Sequence, residues 1–194
     1  MRTSRCTRTT ARSATATSGA TPRLAEVARS LGQDVPVCLA GTPAYFEGIG
    51  DYTRPSPPLP RLSVVLVNCG TPVATPAVFR ARNGAFSAPL PGNLDASSPE
   101  ALIEALAACR NDLTDAALTI DTQIAVVLRE LAACTGARIA RMSGSGGTCF
   151  AIFDDETAAR AAARNLTLAH AGWWIACGRL ISLPRAAPRD TSAA

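Results

Sequence analysis

Residues 141 to 153 read RMSGSGGTCFAIF, a run of small residues, Ser143, Gly144, Ser145, Gly146 and Gly147, leading straight into an apolar, β-prone segment. In the familiar phosphate-binding motifs the glycines follow a strand and open a helix, whose first amides then face the phosphate. Here the order is reversed. Arg138 to Met142 can form one strand and Thr148 to Phe153 the next, so the local reading is a tight hairpin with a close backbone approach at its tip. No Lys-Ser or Lys-Thr follows the last glycine, which excludes a P-loop. Turn geometry alone would account for the glycines, and so would the approach of a ligand.

Outward from the hairpin, the chain organises around it. Downstream, a helix capped at Asp154 is expected through Asn165, then a last strand from Trp173 to Leu183. Upstream, Ile120, Ile124, Val127, Leu128 and Leu131 mark one amphipathic helix, and Ser98-Pro99 opens another whose Leu102, Ile103 and Leu106 share a face until Asn111-Asp112 breaks it. Leu62 to Val67 (LSVVLV) is a buried strand, and Thr75 and Pro76 are the expected N-cap and first position of a short helix through Arg80. The order strand, helices, strand, strand, helix, strand predicts an α+β fold with helices on one face of an antiparallel sheet, a ferredoxin-like split βαβ. Before it, RPSPPLP at residues 54 to 60 is a proline-rich linker and marks a domain boundary. Val35 to Phe46 reads as buried extended chain, and Arg23 to Leu31 as a short helix stopped by Gly32.

Composition narrows the function. Of 194 residues, 47% are hydrophobic and 18% charged, an ordinary balance for a globular protein. The net charge of +4 comes from Arg2, Arg5, Arg8 and Arg12 in an acid-free opening segment; the rest of the chain is balanced. A neutral body argues against nucleic acid as a partner. All 19 basic residues are arginine, so no lysine chemistry is available. The 7 cysteines are scattered, odd in number and without a C-x-x-C pair, which suggests reduced thiols and a cytoplasmic setting. No apolar run approaches the roughly 20 residues that span a bilayer.

Three side chains invite a chemical reading. Asp34 lies in LGQDVPV, where burial would make it a candidate base, although a turn or cap is the commoner role of an aspartate between Gly and Pro. His170, the one histidine, has no partner set for zinc or for a Ser-His-Asp triad. Phe79 could sit in a core or offer its ring to a ligand, while of the adjacent Trp173 and Trp174 at least one should pack inside.

Taken in order, LGQDVPVCLAGTPAYFEGIGD, LVNCGTPVATPAVF, RNDL and RMSGSGGTCFAIF resemble the GHMP small-molecule kinases, and within them the branch acting on a cytidine-diphosphate methylerythritol. The match runs from about Leu24 to Leu183. The resemblance implies ATP and Mg2+ as cofactors and transfer of a phosphoryl group to the 2-hydroxyl of that small molecule, in the non-mevalonate route to isoprenoids. It implies that Asp34 is the catalytic base, overturning the turn reading. It also implies that Thr75, Pro76 and Phe79 line the cytidine pocket, and that Ser143 to Gly147 form the glycine loop near the ATP phosphates. Gln33 and Cys69 depart from the family's usual Ala and Pro. The family's lysine and Pro-Gly-Ser-rich phosphate loop have no counterpart here.

The expected organisation is therefore a tail at residues 1–22, a remnant of the GHMP N-terminal domain at 23–53, a ferredoxin-like GHMP C-terminal domain at 61–184 and a tail at 185–194. On that reading the chain is a C-terminal portion, inactive alone. Two other readings stay open, a noncatalytic cytidine-diphosphate-binding module and another GHMP kinase acting on a different alcohol.

Overall fold

The computed structural model describes residues 22–31, 35–40, 43–47, 52–88, 90 and 93–180. They fall into two compact units that divide between Ser56 and Pro57. Asp34 and both expected tails, apart from Pro22, lie outside the described residues. No helix among the described residues is long and apolar enough to cross a membrane.

In the first unit, α1 (Pro22–Leu31) forms where the spacing of Leu24, Val27, Ala28 and Leu31 predicts it, with Ala28 buried. The extended chain expected from Val35 is a correction: Val35–Ala40 is a second helix, α2, and only Ala44–Glu47 is a strand, β1. A run of six small and apolar residues carries no period that separates strand from helix, and Pro36, in the first turn, forfeits no helical hydrogen bond. β1 pairs antiparallel with β2 (Tyr52–Pro55), so Arg54 and Pro55 close a ribbon before the linker begins. The Arg54 guanidinium lies 3.9 Å over the ring of Tyr45, its cross-strand partner.

The second unit holds β3 (Leu62–Asn68), α3 (Thr75–Ala81), α4 (Pro99–Ala107), α5 (Thr114–Ile120), α6 (Gln123–Ala132), β4 (Ala137–Met142), β5 (Thr148–Phe153), α7 (Glu156–Ala169) and β6 (Trp174–Leu180). The sheet order is β4-β5-β3-β6 with every neighbour antiparallel, the interleaved arrangement of a split βαβ. Alternation along the strands sorts the core. Val65 and Val67 of β3, with Cys149, Ala151 and Phe153 of β5, face α3, α5, α6 and α7. The helices are not confined to that face: Leu102 and Ile103 of α4 pack with Leu62, Ile139 and Ile152 on the other. The Ser98 hydroxyl accepts from the Ala101 amide at 3.1 Å and starts α4, and the apolar side chains of Leu62, Ile139 and Ile152 give its buried stripe a face to cover.

The single helix expected from Ile120 to Leu131 is two. Asp121, 8% exposed, ends α5 and accepts the Gln123 amide through Oδ1 at 2.9 Å, while the Cys69 thiol donates to Oδ2 at 3.7 Å. Apolar spacing runs across the break because both helices bury the same side, so periodicity alone could not find it. Asp121→Ala should cost about 1–2 kcal/mol, read as a lower urea midpoint at constant m-value. The cap of α7 is Asp155, which accepts from the Ala158 amide at 2.8 Å. Asp154, the expected cap, is held by Arg138 at 2.7 Å instead. α7 continues past Asn165 because Leu166 is buried. Trp173 packs against the core and stacks on His170 at 3.7 Å, whereas Trp174 is exposed.

Candidate functional site

The loop from Ser143 to Gly147 joins β4 to β5 as a true hairpin tip: the Ser143 amide donates to Thr148 O at 2.9 Å and the Gly146 amide to Ser143 O at 3.1 Å. Gly144, Gly146 and Gly147 have φ of 54°, 113° and 78°, values that L side chains avoid. Gly146 is also a packing position. A Cβ there would stand 3.1 Å from Met142 Sδ and 3.4 Å from both Ala117 Cβ and Ile124 Cδ1. The loop is thus pressed inward at Gly146 and open at Gly144, where an added Cβ meets nothing within 4 Å. The amides of Gly144, Ser145 and Gly147 have no acceptor among the described residues. Backbone donors left free in a glycine turn suit an anion.

Two neighbours hold this loop. From β3, Asn68 donates through Nδ2 to Thr148 Oγ1 at 3.0 Å and accepts the Gly70 amide at 2.8 Å, tying the exit of the strand to the exit of the loop. From the turn between α4 and α5, Asn111 donates through Nδ2 to Met142 O at 3.0 Å and Gly144 O at 2.8 Å. Sequence marks neither asparagine as a site residue; Asn111 reads there only as a helix breaker and as part of RNDL. Next to it, Asp112 takes the Ser87 amide and hydroxyl, and the hydroxyl first, then the amide, hold its carboxyl below the ordinary carboxylate range.

The structure brings Thr75 to the same loop. Its hydroxyl shares a 2.7 Å hydrogen bond with that of Ser145. The cap role expected of Thr75 is therefore a correction: the N-cap of α3 is Ala74, without a side-chain bond, and Thr75 and Pro76 open the helix. Val78 fixes α3 by complete burial, which leaves Phe79 outward at 53% exposure, a ring and not a core residue. Thr75 and Phe79 are four residues apart and share one helix face. The ring accordingly stands about one turn along α3 from the contact with the glycine loop.

A fold of this order with a glycine hairpin tip meeting the helix after the first strand is the GHMP kinase C-terminal arrangement, and the family described as GHMP kinases C terminal matches residues 92–171. Over those residues the chain carries a GHMP kinase C-terminal domain. It is 50% identical over 159 residues to a Paramagnetospirillum magneticum protein named 4-diphosphocytidyl-2-C-methyl-D-erythritol kinase, covering 82% of this chain and 56% of that one. A Rhodospirillum rubrum protein of the same name is 48% identical over 155 residues, covering 80% and 51%. The crystal structure of a 4-(cytidine 5'-diphospho)-2C-methyl-D-erythritol kinase superposes with a TM-score of 0.66 at 31% identity, covering 82% of this chain and 57% of that chain. The chain spans about half the length of the curated relatives it matches.

Proposed function

We propose that the protein is a small-molecule kinase that transfers a phosphoryl group from ATP to the 2-hydroxyl of 4-diphosphocytidyl-2-C-methyl-D-erythritol, toward isoprenoid precursors by the non-mevalonate route. The observation that carries this reading is the hydroxyl bond from Ser145 to Thr75, which joins a loop of free backbone amides to a helix presenting an exposed phenyl ring. The loop suits the phosphates of ATP and the ring, about one turn along α3, the base of the cytidine-diphosphate acceptor, so the bond brings donor and acceptor sites together. The names of the relatives above support the same substrate.

ATP fits the loop: Gly144 leaves room for phosphate oxygens, and the amides of Gly144, Ser145 and Gly147 are available to them. Bound there, ATP supplies the phosphoryl group. Among the described residues no group of three His, Cys, Asp or Glu side chains could hold a metal, so no described residue is assigned to Mg2+. Asp34 is the proposed base that accepts the proton of the 2-hydroxyl as the bond to phosphorus forms. Thr75, Pro76 and Phe79 orient the cytidine, Phe79 by stacking on the base. A cytoplasmic setting accords with free cysteines throughout the described residues. Burial pushes the Cys149 thiol up to about 12, so it stays protonated and inert.

Titration of the chain with cytidine diphosphate tests the pocket. Phe79→Ala should weaken binding by about tenfold, since stacking on a base is worth about 1–3 kcal/mol. Its melting temperature should barely change, because the ring is 53% exposed. Equal affinity in the variant and the parent would remove Phe79 from the site.

A further inference from the structure

Asn111 makes three hydrogen bonds that together admit one orientation of its amide. Nδ2 donates to the carbonyls of Met142 and Gly144, at 3.0 and 2.8 Å, and Oδ1 accepts the Leu113 amide at 3.0 Å. Turning the amide over would set Oδ1 against two carbonyl oxygens and Nδ2 against an N–H. The consequence for the loop follows from peptide geometry. In a trans peptide the C=O and the next N–H point in opposite directions. Holding the Gly144 carbonyl toward Asn111 turns the Ser145 amide away from it, where it has no acceptor among the described residues. Holding the Met142 carbonyl likewise aims the Ser143 amide at Thr148 O, where it makes the hairpin bond at 2.9 Å. One side chain, 31 and 33 residues away in sequence from the two carbonyls it grips, thereby sets two peptides of the loop, 142–143 and 144–145. Glycine at 144 would otherwise leave that segment free to rotate, with φ at 54° only one of several accessible values.

We propose that Asn111 is the positioning residue of the glycine loop: its amide fixes the Gly144–Ser145 peptide so that the Ser145 N–H is presented to the nucleotide phosphates. The inference rests on the reading of the loop as the phosphate-binding element. Its partner on the far side is the Ser145 hydroxyl bond to Thr75, so the same residue that is gripped through its preceding carbonyl is braced through its side chain. Asn111 touches no substrate on this account and acts through the loop.

Asparagine and aspartate separate the two roles that Asn111 could have. Asn111→Asp keeps the acceptor for the Leu113 amide but replaces the donor with an oxygen facing two carbonyls. A residue needed only to cap the turn at Leu113 is rescued by aspartate; a residue that positions the loop is not. In the full 194-residue chain, labelled with 15N, the Asp variant should lower the backbone order parameters of Gly144 and Ser145 from about 0.85 to below about 0.6, with β3 and β5 unchanged. Its affinity for ATP should fall roughly tenfold, equivalent to about 1.4 kcal/mol. Asn111→Ser, whose shorter hydroxyl can still accept from Leu113, should loosen the loop in the same way and provides the readout if the Asp chain does not fold. Unchanged order parameters at Gly144 and Ser145 in both variants would overturn the proposal. A parent chain that does not bind ATP would overturn the phosphate reading, while the order parameters would still decide what Asn111 does to the loop.

Discussion

Gly146→Ala is expected to destabilise the second unit by about 3 kcal/mol and to lower its melting temperature by about 10 °C. Two costs combine. With φ at 113°, the backbone lies where a residue with a Cβ is strained by about 1–3 kcal/mol. The new methyl also has nowhere to go: it meets Met142 Sδ at 3.1 Å and Ala117 Cβ and Ile124 Cδ1 at 3.4 Å. Those three neighbours are 2%, 0% and 0% exposed, so none can swing aside into solvent. Close packing of that kind turns one added methyl into about 1–3 kcal/mol of displacement. Gly144→Ala is the control, because its φ of 54° lies in the left-handed well and nothing stands within 4 Å of the added carbon; it should cost about 1 kcal/mol. Thermal unfolding of the two variants side by side checks the argument, and equal losses would show that backbone strain and not packing decides at Gly146.

If Asp34 is the base proposed above, Asp34→Asn should reduce phosphoryl transfer by about a hundredfold to ten-thousandfold, with little change in KM for either substrate. Asparagine keeps the shape and one acceptor of the side chain and removes only its capacity to take a proton. A base that works in the transition state alone lowers kcat and leaves ground-state binding in place. Steady-state transfer from labelled ATP to the cytidine-diphosphate methylerythritol makes the measurement. A variant that retains activity within a few fold would return Asp34 to a turn or capping role, the one its neighbours Gly32 and Pro36 suggest by themselves.

Much of the second unit was legible in the sequence because its strands are bounded by strong signals. β5 begins and ends where expected, at Thr148 and Phe153, between a glycine loop and an acidic helix cap. β3 is a run of apolar residues too short for a helix and too regular for a loop, ended by Asn68 and Gly70. What escaped reading was what tertiary contact decides. α2 is a helix in a segment whose valines favour strand, and the break at Asp121 is invisible to a period that both flanking helices share. The site divides in the same way. Glycines announce a loop, and the exposed ring of Phe79 follows from the burial of Val78 beside it. The grip of Asn111 leaves no complementary residue type in the sequence, since it acts on backbone carbonyls. The bond from Thr75 to Ser145 joins residues 70 apart that composition and spacing do not relate.

The central place of β3 also bears on how the chain is made. Within its sheet this strand is made first and both its neighbours much later: the contact from Asn68 to Thr148 spans 80 residues, and the pairing with Trp174–Leu180 spans more. On the ribosome, at about 5–20 residues per second, Leu62 to Asn68 waits several seconds as an unpaired apolar ribbon with both edges open. The β4–β5 hairpin closes locally in microseconds once it emerges, so it offers the first template on which β3 can dock. Synthesis of this fold therefore passes through an obligatory interval of exposure, and its yield in a cell depends on what shields that ribbon until the last strand arrives.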